Sequence, residues 1–356
     1  MGGQHDRQHP GGVGPAQPWR LRGAGIQALA HATILPSAHA ATNPVDMKLA
    51  TWKDGSRDGQ LVVVSRDLAT AHFAHGRVTT LQQALDDWNF LSPQLQELSL
   101  SLDEGKARHA FAFEPQRCAA PLPRAYQWAC AVGAGDKALQ LLPADDLLGP
   151  RDRVRVEPGS RSNVAPVLAA VTGDLERGAG TQTALEAVRL LTLCGVWHVA
   201  VPAGSAGSSP PPIDLALATS FAPVMVTPDE LGTAWRDGRL QGDLQMERGA
   251  APARRANAQA HAPACADAHA HGTATAAAAA AAHPAPRLGE ALTRLCQTRR
   301  VRAGALVGTR CGGMVALAPD AIPCVSWRLP DGTDPFGAFE LGAQAIEKTP
   351  PRSRFG

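Results

Sequence analysis

Four histidines, His261, His269, His271 and His283, share a short stretch with Cys265 and Asp267, and all are side-chain types that hold transition metals. Their spacings fit no closed four-ligand geometry. The stretch is also low in complexity, with seven consecutive alanines from Ala276 to Ala282, so residues 248–287 read as a disordered insertion and not as a metal site. The seven cysteines (Cys118, Cys130, Cys194, Cys265, Cys296, Cys311, Cys324) are scattered with no CxxC spacing, which indicates neither a zinc site nor a thioredoxin-like motif and points to reduced thiols. Lys137 could act as a nucleophile if buried, but no partner for it is identifiable and it reads as a solvated lysine. His198, beside Trp197, is of the right type for a general base; it stands in a segment without pattern and reads as structural or exposed. Arg294, Arg299, Arg300 and Arg302 cluster, yet nucleic-acid binding needs a wider basic surface with interleaved aromatics, and charge at a helix end explains them better.

The elements that would carry such groups become orderly at Met47. Leu61–Val64 and Leu68–Phe73 flank Arg66-Asp67, which predicts strand, turn, strand. Leu81, Ala84, Leu85 and Trp88 follow at helical spacing behind Thr80, a candidate N-cap. Ser92-Pro93 predicts the opening of a second helix, with Leu95, Leu98 and Leu102 on one face. Arg153-Val154-Arg155-Val156 alternates like a half-buried strand, and the apolar run Ala184–Cys194 predicts a helix. Thr227-Pro228-Asp229-Glu230-Leu231 carries the marks of a helix start, with Thr227 as N-cap and Glu230 reaching back to it. Leu288, Ala291, Leu292 and Leu295 predict an amphipathic helix ending at Arg299-Arg300. Residues 195–217 are Gly/Ser/Pro-rich and show no period.

With 356 residues the chain has room for two domains, and a net charge of +2 sets up no field to gather nucleic acid or an acidic surface. No apolar run approaches the ~20 residues that span a bilayer. Residues Gly23–Ala41, following Arg20 and Arg22, have the outline of a signal peptide, but Gln27, His31 and Pro36 interrupt it. Residues 1–46 therefore read as a disordered or non-native extension, with Met47 as an alternative start, and the protein as cytoplasmic and without a membrane partner.

Met47–Leu68 (MKLATWKDGSRDGQLVVVSRDL) is similar to the start of the small N-terminal domain of the fumarylacetoacetate hydrolase family in its bacterial two-domain form. Leu122–Ala129 (LPRAYQWA) resembles the opening of that family's catalytic domain. Leu147–Asp152 (LLGPRD), Val171–Asp174 (VTGD), Ala184–Leu193 (ALEAVRLLTL), Ser220–Gly238, Thr298–Gly308 and Phe336–Glu340 (FGAFE) follow in family order. The resemblance implies an α+β fold: a small N-terminal α+β domain over 47–121, then a mixed β-roll over 122–352, partly disrupted and interrupted by the 248–287 insertion. It implies a homodimer. It also implies metal-dependent hydrolysis of carbon–carbon bonds in β-dicarbonyl or 2-oxo acids, as in tyrosine and aromatic-acid catabolism. In the family Mg²⁺ or Ca²⁺, held by hard oxygen ligands, acts as a Lewis acid on the enolate, a histidine activates water and a lysine holds substrate.

Set onto this sequence, the resemblance puts Cys130 where the family has a metal-binding aspartate and Lys137 where it has the catalytic histidine. Ala165 and Val167 stand for its two glutamates, Gly195-Val196 for an Asn-Asp whose aspartate is the fourth ligand, and Ala216 for the lysine. The turn Gly308-Thr309-Arg310-Cys311 lacks the family's second glycine. Four anionic ligands have thus become one thiol and three apolar side chains, a set that does not hold a hard divalent ion, so no metal is expected to bind. The unmatched islands share an Ala/Gly/Pro/Arg composition, such as a high-GC gene yields when read out of frame or after decay. Reading the coding DNA in all three frames tests this; it fails if no frame restores Glu-x-Glu or Asn-Asp. Three functions stay open: an impaired family member; an active hydrolase rebuilt on Asp145, Asp146, Asp174 and Asp214; and a binding or scaffold protein that keeps the N-terminal domain and the dimer surface.

Overall fold

In the computed structural model residues 46–131, 139–158, 160–199, 216–249, 287–318 and 320–346 are described. The 1–45 extension, Lys137, Asp214 and the histidine-bearing insertion lie outside them. The first strands are β1 (Lys48–Trp52), β2 (Gln60–Val64) and β3 (Thr70–Phe73), paired antiparallel in succession. The Leu61–Val64 and Leu68–Phe73 runs supply β2 and β3 around the expected turn, where Leu68 takes a positive φ of 61°. Helix α1 (Leu81–Asp86) starts at Thr80 with the capping box complete: Thr80 accepts from the Gln83 N–H while the Gln83 side chain answers the cap backbone. Helix α2 (Trp88–Asp103) begins four residues earlier than Ser92-Pro93 predicts. Pro93 sits inside it on the exposed side, where the carbonyl of exposed Asn89, deprived of its donor, is open to water. A short strand β4 (Phe111–Ala112) closes this edge on β3.

The rest of the described residues form a mixed β-roll. It comprises β5 (Trp128–Ala131), β6 (Leu139–Leu142), β7 (Leu147–Leu148), β8 (Arg153–Val156), β9 (Ser162–Thr172), helix α3 (Thr181–Glu186), β10 (Val188–Val199), β11 (Ala216–Phe221) and β12 (Met225–Val226). A 3₁₀ segment Pro228–Ala234 follows, then β13 (Trp235–Arg236), β14 (Arg239–Leu240), β15 (Asp243–Gly249), helix α4 (Leu288–Thr298), β16 (Leu306–Arg310), β17 (Val315–Leu317), β18 (Ile322–Arg328), β19 (Phe339–Glu340) and β20 (Gly342–Ala345). The main sheet runs β4-β3-β2-β1-β12-β10-β9-β16-β5-β6, with β11, β7 and β17 joined at its side. The N-terminal strands enter it through two residue pairs, Lys48 with Val226 and Leu49 with Met225. The fold is α+β. No helix among the described residues is long and apolar enough to cross a membrane.

Two expectations are corrected here. Ala184–Cys194 is not one helix: α3 ends at Glu186, and from Val188 the chain is strand β10, paired with β9 over nearly its whole length. A central strand covered on both faces loses its polar alternation, so its apolar run looks like a buried helix. Gly195–Val199, expected to be patternless, continues the same strand, and Ala216-Leu217 open β11.

Side-chain alternation sorts the core into two layers. Val164, Leu168 and Ala170 of β9, Leu191, Leu193 and Trp197 of β10 and Val307 of β16 pack on one side, with α3, α4 and Val325, Trp327 and Phe339. Val167, Ala169 and Val171, with Leu190, Cys194, Val196 and Leu306, pack on the other, beneath Leu49, Leu61, Val63 and the buried faces of α1 and α2. One residue of register slip would exchange the layers.

Candidate functional site

The positions that the resemblance picks out lie on five strands, β5, β16, β9, β10 and β11, that adjoin in the sheet. Ala165 pairs with Val196, Val167 with Cys194 on one side and Arg310 on the other, and Ala169 with Gly308, which pairs in turn with Cys130. Cys130, Val167, Cys194, Val196 and Ala216 belong to a single buried apolar cluster, on the layer that α1 and α2 cover. Ala165, 1% exposed, shares the Val167 side by the two-residue period of the strand. The surface is packed shut. A Cβ on Gly308 would lie 2.5 Å from Val167 and 2.6 Å from the Trp128 ring, so glycine is the residue that lets these two side chains meet. Trp128 donates its indole N–H to Thr219 Oγ1 at 2.9 Å, and its ring lies 6.3 Å from that of Phe221.

Among the described residues, the ionisable groups of this face include the Cys130 and Cys194 thiols, the His198 imidazole and the Arg310 guanidinium, and Cys311 packs against the opposite layer. Burial pushes the Cys130 thiol up to about 12 against the opposing pull of Arg310, and burial, with Cys130 nearby, raises Cys311 to about 12. Cys194 is driven well above its ordinary value by burial and by both other thiols. None is a thiolate at neutral pH, so none is a ready nucleophile or soft-metal ligand. His198, expected to be structural or exposed, is buried, and burial followed by the Arg310 charge pulls its pKa down to about 4. It is a neutral imidazole at physiological pH.

Among the described residues the candidate carboxylates lie elsewhere. Asp174 lies beyond the far end of β9, where it accepts the Ala303 N–H at 3.1 Å and faces Arg302 at 3.9 Å. Asp145 lines a wide cavity with Arg57 and Arg124, and its neighbour Asp146, raised by burial and by Asp145, precedes β7. Among the described residues no three His, Cys, Asp or Glu side chains converge in a way that could hold a metal ion. Cys130 and three apolar side chains, with a guanidinium alongside, do not fit a hard divalent cation, which seeks several oxygen ligands. Sequence reasoning missed Arg310 as the positive charge of this face; its signal was the absence of the second glycine in the turn.

A sharper cluster lies where the N-terminal strands meet the roll. Lys48, 4% exposed, places its ammonium 3.2 Å from Glu230 and donates to the Pro335 carbonyl at 3.2 Å. Arg66 holds both oxygens of Glu230 at 3.3 Å. Thr227, expected as a side-chain cap, instead takes the Met47 N–H at 3.1 Å, and the segment it opens is 3₁₀. Glu230 is thus committed to two cations and does not close a capping box.

Residues 47–124 match the family model described as fumarylacetoacetase N-terminal domain 2. The N-terminal segment is thus similar to a fumarylacetoacetase N-terminal domain, and the fold is that of solved fumarylacetoacetate hydrolase family proteins. A maleylpyruvate hydrolase from a Sphingobium species is similar over 84% of this chain and 100% of its own, at 14% identity and a TM-score of 0.54; the same enzyme has been solved with manganese(II) and pyruvate. A probable 2-hydroxyhepta-2,4-diene-1,7-dioate isomerase from Mycobacterium abscessus covers 85% of this chain and 99% of its own, at 14% identity and a TM-score of 0.55. A fumarylacetoacetate hydrolase from the psychrophile Exiguobacterium antarcticum covers 84% and 100%, at 15% and 0.54. At these identities the likeness is one of fold. No curated protein sequence matches the chain. The fumarylacetoacetate hydrolase fold therefore carries a sheet face on which the positions assigned to metal ligands are apolar.

Proposed function

We propose that this chain is a fumarylacetoacetate hydrolase family protein in which the family's metal-dependent cleavage of carbon–carbon bonds in β-dicarbonyl or 2-oxo acids, the chemistry of aromatic-acid catabolism, is impaired. The supporting observation is the closed apolar surface of Cys130, Ala165, Val167 and Val196, where a Mg²⁺- or Ca²⁺-type ion would need several carboxylate oxygens. Without an ion an enolate forming there loses its main electrostatic stabiliser, worth several kcal/mol. Arg310 keeps positive charge nearby, but as a monocation on one side only. The reading takes the protein as a cytoplasmic homodimer, divided into an N-terminal domain over 47–121 and a roll over 122–352. Incubation of the full chain with an acylpyruvate and Mg²⁺ or Mn²⁺, following loss of the enol absorbance, tests it. No turnover above the metal-only blank is expected; turnover that a chelator abolishes contradicts it.

A second reading is a binding or scaffold homologue that keeps the N-terminal domain and the dimer surface. It is favoured by the confinement of the family-model match to residues 47–124. It expects a protease-resistant fragment of that span, and digestion at equal rates throughout argues against it.

A further inference from the structure

The seam between the N-terminal strands and the roll is short in backbone and dense in charge. Two residue pairs join β1 to β12, and the Met47 and Thr227 backbones add one bond at 3.2 Å. Around them lies a cavity of about 550 Å³ lined by Asp46, Lys48 and Arg66 from the N-terminal side and by Asp229, Glu230, Asp331 and Asp334 from the roll. Five carboxylates thus face two cations, and Glu230 engages both. Of the others, Asp46 and Asp334 are partly buried. One oxygen of Asp46 is buried without a hydrogen-bond partner, while the other lies 3.8 Å from Arg66. Asp334 accepts the N–H groups of Phe336 and Gly337, each at 3.1 Å. The charged groups just outside are Asp103, which takes the Arg66 backbone N–H at 2.8 Å, and Arg328, which acts on Asp334 from β18.

We propose that this seam is a proton-sensitive clasp: β1 is held on β12 more tightly in mildly acidic solution than at neutral pH, with Asp46 and Asp334 taking up the protons and the Lys48–Glu230–Arg66 network as the fixed pin.

The direction follows from where the carboxyls sit. Burial raises Asp46, and Glu230 and Asp229 add to it against Arg66. Burial also raises Asp334 against its two N–H donors, Arg328 and Lys48. An acid whose pKa is higher when docked than when open binds its proton more tightly in the docked state. Docking is therefore strengthened as the pH falls through the docked pKa towards the ordinary value of 3.8, and that gain is lost as the pH rises again. The pin sets the register of the clasp, with Glu230 lying between Lys48 and Arg66. Protonation also relieves the lone Asp46 oxygen, which no longer carries unpaired charge.

The test is hydrogen exchange on the full chain at pH 4.5, 5.5 and 7, corrected for the intrinsic exchange rate. Protection of β1 and β12 is expected to fall from pH 4.5 to 7, by up to about tenfold for each pKa unit separating docked and open carboxyls, while α4 on the opposite layer changes little. In an Asp46→Asn/Asp334→Asn variant, protection at pH 7 should match that at pH 4.5. Should the double variant not fold, each single variant should show a shallower slope than the parent. Protection that is flat or rises with pH overturns the proposal. So does an equal change in α4, or a double variant with the parent's slope.

Discussion

Val167 of β9 stands directly opposite Arg310 of β16, so the residue at an assigned glutamate position has a guanidinium as its cross-strand neighbour. The pair inverts the electrostatics that a divalent cation needs: the carboxylate is absent and a positive charge is present. Several consequences can be measured.

Restoring one acid should harm the fold and not the function. Val167→Glu would place a carboxylate in a fully buried apolar layer, at a cost of about 3 kcal/mol or more at pH 7. Urea unfolding reads the loss, and it should shrink near pH 4 as the new glutamate protonates. An undiminished stability with tight Mg²⁺ binding would show that the layer can open into an ion site.

Gly308 is required by what surrounds it. Gly308→Ala should destabilise by about 1–3 kcal/mol through contact with Val167 and the Trp128 ring. Adding Val167→Ala should recover part of that, and a double-mutant cycle from denaturant midpoints gives the coupling. Strict additivity would mean that the two side chains do not meet as described.

The imidazole on this face should resist protonation. The His198 pKa is depressed to about 4, so the stability it contributes is present above the unfolded value near 6.5 and lost as the pH falls towards 4. NMR titration should show a neutral ring down to about pH 5. In His198→Gln the decline in stability between pH 6.5 and 4.5 should be shallower than in the parent. An ordinary titration near 6.5 would place this ring in water.

The thiols should be silent in the native protein. Cys118 and Cys130 are held at about 12 by burial, and an alkylating agent at pH 7.5 should label neither until urea is added. Mass mapping after a short pulse decides this; rapid native labelling of Cys130 would mean that the sheet face is open to solvent.

Much of the fold was legible because its signals are local. Thr80 and Gln83 announce α1 through a capping box, Leu288 to Leu295 announce α4 by period, and Arg153–Val156 alternates as the strand it is. β10 was not legible, since a strand buried on both faces shows neither period and its Gly195 has no side chain to report. That glycine is needed where it stands: a Cβ would come within 2.8 Å of Leu341 and 2.9 Å of Val164. The convergence of Cys130, Val167, Val196 and Ala216 followed from the family resemblance and not from any spacing among them. The Lys48–Glu230 pair lay beyond both kinds of reading, because a contact between residues so far apart in the chain leaves no pattern in either segment.

The most direct measurement is a calorimetric titration of the metal-stripped full chain with Mn²⁺ and, separately, Mg²⁺ at pH 7.5. The apolar face of Cys130, Ala165, Val167 and Val196 predicts no saturable heat below millimolar ion. A stoichiometric isotherm with a micromolar Kd, lost in a Val167→Leu variant that still folds, would contradict the account.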